Sequence, residues 1–292
     1  MRLRAWMAMM VCSLLLLGSP TPALAGNVAA VRKQVESSLQ VSGTVTIAPD
    51  GTVQAHTLDP KAPLGEPLVQ FLDESIRKWR FQPVTVDGKV VTARVPMHLR
   101  LVARPTGDGN ASITIASTHF GSRDAGVPTD FVSRGRLAPP MFPKDAARMG
   151  GKGTVYLIVQ VGRDGRVANV DAEQVNLRVV GTENQMEMLR STFTKAALRA
   201  ARNWTFDIPT TGDEAKDDHW LVRVPVEFVL VGRPGDKPHD KTGWDSYVPG
   251  PRNARMPWAQ DSLRVAGDPD ALPDSGIYPL RQGAVLLNPP TT

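Results

Sequence analysis

The chain carries a single cysteine, Cys12, so no disulfide can form within it. No apolar run approaches the roughly 20 residues of a membrane-spanning helix, which excludes a polytopic membrane protein. Histidines number five, His56, His98, His119, His219 and His239, and their spacing matches no metal-ligand motif, so no metal is expected. There is no G-x-S-x-G elbow, no P-loop and no dinucleotide fingerprint. That leaves no catalytic constellation, cofactor or small-molecule substrate to nominate. Long basic runs are missing as well, with 34 Lys+Arg against 29 Asp+Glu, and nucleic-acid binding is not expected. Asp50, Asp87 and Asp164 each precede a glycine and read as turns, because the acidic spacing of a calcium loop is absent.

What is present begins with a leader. Met1-Arg2-Leu3-Arg4 is a basic start, residues 5–18 are nearly all apolar, and Ala23-Leu24-Ala25 precedes Gly26. This is the pattern of an export signal over residues 1–25; the rival reading is an uncleaved anchor. Cleavage removes Cys12, and with it any thiol chemistry. At 292 residues the chain has room for about two domains.

Two stretches, 41–103 and 153–232, share an ordered set of landmarks. Each opens on alternating apolar residues, Val41, Val45 and Ile47 in one and Val155, Leu157, Val159 and Val161 in the other, the period of a half-buried strand. Each then meets Asp-Gly, at 50–51 and 164–165, the signal of a hairpin turn. An amphipathic helix follows, carrying Leu68, Phe71, Leu72 and Ile76 or Phe193, Ala196, Ala197 and Ala200 on one stripe. Both helices run out at Trp-x-Phe and a proline, Trp79-Arg80-Phe81 and Trp204-Thr205-Phe206. A last strand carries Arg94-Val95-Pro96 or Arg223-Val224-Pro225. The expected fold is α+β: two antiparallel-sheet-plus-helix units of order strand, strand, helix, strand. In the second, Val222, Val224, Val226 and Phe228 face the core while Arg223, Pro225 and Glu227 face water. Proline in that strand marks an edge, or the point where the chain joins the sheet, and an edge is where another chain can pair.

A helix is expected before each unit, over 143–149 and 29–39. Residues 104–138, rich in Gly, Ser and Thr with a strand at 112–116, read as a linker. Residues 233–292, with ten Pro from 234 onward, read as a tail without a core of its own. Its Trp244, Tyr247, Trp258 and Tyr278 are expected to dock it onto the domain surface or a partner. His56 and His98 are read as a cross-strand pair.

Pro140-Met141-Phe142-Pro143, Ala146, Gly150, Gly153-Thr154-Val155, Asp164-Gly165-Arg166-Val167, Ala196-Ala197-Leu198, Trp204-Thr205-Phe206 and Val224-Pro225-Val226-Glu227-Phe228 together resemble the C-terminal domain of TonB proteins. The resemblance covers 139–232, with 26–103 as a degenerate copy. It implies a periplasmic, non-enzymatic module that binds segments of outer-membrane TonB-dependent receptors as an added strand. Arg223, Val224, Pro225, Val226, Glu227 and Phe228 would supply the edge, and Pro140, Phe142 and Pro143 would lie near the docked segment. The plain alternative for Phe142 is core filling. A TonB with motor function keeps its anchor and a Pro-rich spacer. Here the expectation is instead a soluble relative or a scaffold that associates through its sheet edges, and an anchored location in the cytoplasmic membrane is the alternative.

Overall fold

The computed structural model describes residues 23–59, 64–86, 88–107, 110–121, 131–230, 243–253, 255–273, 276–280 and 284–288. The apolar part of the expected leader, residues 1–22, lies outside them, as do Asp87 and His239. In chain order the first half holds α1 (Ala23–Arg32), β1 (Glu36–Ile47), β2 (Val53–Leu58), α2 (Glu66–Arg77), β3 (Thr85–Val86), β4 (Lys89–Val90), β5 (Ala93–Gly107) and β6 (Asn110–Phe120). The second half holds β7 (Ser133–Arg134), α3 (Lys144–Arg148), β8 (Gly153–Gly162), β9 (Val167–Leu177), α4 (Glu183–Ala201), β10 (Phe206–Asp207), β11 (His219–Phe228), β12 (Asp245–Tyr247), α5 (Gln260–Val265) and β13 (Tyr278–Pro279). The class is α+β, with antiparallel sheets.

The first sheet has the order β12-β1-β5-β6, with β2 also on β1. The turn from β1 to β2 is made by Gly51 at φ 82°, and the Asp50 carboxylate accepts hydrogen bonds from the Thr52 amide and hydroxyl. Alternation then places Leu39, Val41, Val45, Ile47, Met97, Leu99 and Leu101 on one face, where they meet Leu72 and Ile76 of α2. Trp79, Phe81 and Phe120 close this core edge to face, with ring centroids 4.9 to 6.4 Å apart.

The second sheet has the order β13-β11-β8-β9. Gly165 at φ 72° makes its hairpin turn, and Asp164 caps it by accepting from the Arg166 amide. α4 starts in a capping box in which Thr182 and Gln185 satisfy each other's backbone amides. Its Met186, Leu189, Phe193, Ala197 and Ala201 recur every three or four residues and are buried against Val155, Leu157, Val159, Val224 and Phe228.

Several expectations are corrected. The stretch read as a linker contains β6, paired to β5 from Met97↔Phe120 to Gly107↔Asn110, because its small β-branched residues suit a ladder as well as a loop. β5 is therefore internal, and Pro96 sits where β6 runs out, its carbonyl accepting from the Gly121 amide. The first helix ends at Arg32, and Leu39 lies in β1. His56 and His98 flank β1 from opposite sides; His56 instead reaches Asp73 of α2 at 2.6 Å, and His98 lies across from His119 of β6.

The tail supplies a layer against the sheet faces opposite the helices. Met256, Ala259, Leu263, Ala266 and Leu280 pack around Ile158 of the second sheet. From the first sheet Gln40 donates to the carbonyls of Asp270 and Leu272. β12 pairs with Glu36, Ser37 and Ser38. Tyr247 and Tyr278 are buried and Trp258 is partly so, whereas Trp244 stays 43% exposed. The face of β11 expected to be wet is thus covered.

Candidate functional site

β11 pairs along its full length with β8 on one side, from His219↔Gly162 to Phe228↔Gly153. On its other side the tail pairs with only Val222 and Arg223, through Pro279 and Tyr278. The Leu280 amide donates to the Leu221 carbonyl, so the odd-numbered residues of β11 turn their backbone groups toward this outer edge. Pro225 falls at such a position, where its missing N–H costs no bond to β8. Among the described residues no strand pairs with the edge from 224 to 228.

The side chains on β11 are mostly committed elsewhere. Val224, Val226 and Phe228 belong to the core beneath α4. Arg223, expected in solvent, is 1% exposed and forms a two-pronged pair with the fully buried Glu173 at 2.7 and 2.9 Å. Arg252 of the tail completes the arrangement, reaching Glu173 and Asp268. Glu227 lies 4.0 Å from Arg178, which also binds Asp245 at 2.8 Å. What β11 can present to a partner is backbone, with little side-chain chemistry of its own.

Beside this edge the residues 138–143 run extended over the C-terminal half of α4. Trp204 fastens the run by donating its indole N–H to the Ala138 carbonyl at 2.8 Å. Phe142 is half-buried and sets its ring edge against Phe193 and Phe228, at 5.8 and 5.9 Å. Between this segment and α4 lies a groove of about 530 Å³. Pro140, Met141, Phe142 and Pro143 form one wall, Ala196 and Ala200 the other, and Lys144, Lys195 and Arg199 stand at the rim. Met141 is 88% exposed.

The structure therefore brings Pro140, Phe142, Pro143 and Phe228 together and places Arg223 on the opposite face of the sheet. Both readings of Phe142 describe part of it, since one side is core and the other lines the groove. Glu173, Arg178 and Arg252 were not among the residues nominated from sequence. The alternation of β9 could point to Glu173, but nothing local signals that it meets Arg223 fifty residues on.

The site is thus the outer edge of β11 with an apolar, basic-rimmed groove beside it, in a protein of α+β class. Over 107 residues, 37% of its length, the chain is 35% identical to Protein TonB from two strains of Xanthomonas campestris pv. campestris. It spans about two fifths of those relatives, 41% of their length. This similarity makes the chain TonB-like over that stretch. No family model matches the chain, and no solved structure does. Among the described residues no helix is long and apolar enough to cross a membrane.

Proposed function

We propose that this is a non-enzymatic, periplasmic TonB-like protein that takes part in outer-membrane transport by binding segments of TonB-dependent receptors. The bound segment adds as a strand to the outer edge of β11 between 224 and 228, continuing the ladder that β13 begins. The observation that carries this reading is the coincidence of TonB similarity with an outer edge of β11 along which, among the described residues, the only strand pairing is that of β13 with Val222 and Arg223. Strand addition draws its affinity from main-chain hydrogen bonds and its preference from neighbouring pockets. The groove at Phe142 supplies such a pocket, and its three cations suit an acidic residue in the segment.

A scaffold without energy transduction is the second reading. It is favoured by β6, which covers the corresponding strand of the first unit, and by β13, which already covers part of β11.

The test is calorimetric titration of the protein with a synthetic receptor segment, comparing Glu227→Ala with Glu227→Pro. Both substitutions remove the carboxylate, but only proline removes an outward amide. Binding that persists in the alanine variant and weakens about tenfold or more in the proline variant is the expected result. No binding by the unsubstituted protein, or equal binding by both variants, rules out the edge.

A further inference from the structure

We propose that β6 pairs antiparallel with β6 of a second copy of this chain, making the first sheet continuous across a two-fold axis. The inference stands apart from receptor binding, since β6 belongs to the first unit and β11 to the second.

β6 ends the strand order of the first sheet, and among the described residues no strand pairs with its outer side. Proteins normally blunt such an edge by keeping it short, by charge, by proline or by a bulge that turns it away. β6 is eleven residues long, and Asn-Ala-Ser-Ile-Thr-Ile-Ala-Ser-Thr-His-Phe contains no Lys, Arg, Asp, Glu, Pro or Gly; its bulge, at Ala116, leaves residues 111–115 in regular register with β5. The other outer strands differ. β2 has only six residues, and β9 carries Asp171 and Glu173 and is covered in part by the tail, where Asn253 donates to Glu173 and Val248 bridges Leu177.

The hairpin of β5 and β6 also outruns its sheet. β1 pairs with β5 no further than Ser37↔Ala103, whereas β5 and β6 pair on to Gly107↔Asn110. The far end is thus a two-stranded arm, with Asn110, Ala111 and Ser112 exposed. A two-stranded ribbon gains stability from a third strand.

A second copy fits this edge better than a charged partner strand. A two-fold axis sets each residue near its own equivalent, so a strand bearing charge would oppose like charges, which destabilises a pair. A run of Ser, Ile and Thr meets itself without that penalty and with favourable Thr and β-branched cross-strand contacts. The same sheet already uses such a contact, in the 2.8 Å bond between the Thr44 and Thr57 hydroxyls. The axis falls within residues 110–114, where the exposed arm joins the sheet.

The experiment is sedimentation velocity over a wide concentration range on four samples: the unsubstituted protein, Ser112→Lys with Thr114→Lys, Ser112→Glu with Thr114→Glu, and an equal mixture of the two variants. The expected result is concentration-dependent dimer for the unsubstituted protein. Each like-charged variant alone associates about tenfold or more weakly, and the mixture regains association as Lys meets Glu. Circular dichroism reports that the variants are folded. Should they fail to fold, Ser112→Cys in a Cys12→Ser background takes their place, with a disulfide-linked dimer expected on mild oxidation. A monomeric unsubstituted protein, dimers undiminished in both charged variants, a mixture that stays monomeric, or no cross-link through Cys at 112 overturns the proposal.

Discussion

Arg223 sits at a position that strand alternation assigns to water, and burial turns its role from contact to structure. With Glu173 fully buried opposite it, removal of Glu173 leaves Arg223 buried without its counter-charge, and removal of Arg223 leaves the buried Glu173 with only the more exposed Arg252. Arg223→Ala should therefore cost about 3–5 kcal/mol in urea denaturation, and replacing both residues with apolar ones of similar size should recover most of that loss. A receptor-binding defect in Arg223→Ala alone would report misfolding. His119 makes the same point with pH. It is 1% exposed, and among the described residues neither ring nitrogen has a hydrogen-bond partner. Burial first, then the charges on Arg223 and His98, holds its pKa down from 6.5 to about 3. The unfolded chain then takes up a proton near pH 6.5 that the folded one refuses until about 3. The contribution of this group is present above pH 6.5 and falls by about 1.4 kcal/mol per unit as pH drops through that window. Denaturation series at pH 7, 5 and 4 should show this slope, and His119→Gln should flatten it.

At the scale of elements, what could be read from sequence is what is encoded locally. Asp-Gly turns, the helical stripes and the Trp-x-Phe ends all rest on neighbours within a few residues, and they stand where the sequence puts them. The two units even share a latch. The Phe81 amide donates to the Gly51 carbonyl and the Phe206 amide to the Gly165 carbonyl, each at 2.8 Å. A Cβ on Gly51 would lie 2.1 Å from the Phe81 carbonyl oxygen, and one on Gly165 2.5 Å from that of Phe206. Both glycines also hold positive φ, so Gly51→Ala and Gly165→Ala should each cost about 1–3 kcal/mol in backbone strain before any clash. Thermal melts of the two variants should show losses of similar size. β6 was not legible beyond a short strand because a Ser- and Thr-rich segment has the composition of a loop, and only its partner β5 decides otherwise. The same holds for the cover on β11, since Tyr278 lies 55 positions from the Arg223 it pairs with.

For the molecule as a whole, the proline-rich composition of the last sixty residues describes a segment with no core of its own, and that does not make it a free tail. Its apolar residues complete clusters begun elsewhere, as Leu280 and Met256 do around Ile158. Its polar residues close networks that start in the first sheet. The Arg100 guanidinium meets Glu36 at 2.7 Å, the Tyr247 hydroxyl at 2.9 Å and Asp270 at 3.2 Å. Two of those three partners come from the tail. Burial pushes the Asp270 carboxyl up, and Arg100 opposes the shift. Without the tail, Arg100 and Arg223 lose cover, Tyr278 leaves His98 and His119, and two sheet faces that carry buried polar groups open to water. Removing residues 243–292 should therefore destabilise both units together. Loss of several buried side chains amounts to several kcal/mol, which for a protein of this size lowers the melting midpoint by about 10 °C or more. Scanning calorimetry should show one transition for the whole chain and an earlier, broader or divided one for the truncated form. A truncated protein that melts in a single transition at the original temperature would mean that the units do not rely on the layer at all. Arg223 would then keep Glu173 and Arg100 would keep Glu36, with water taking the places of Arg252, Tyr247 and Asp270.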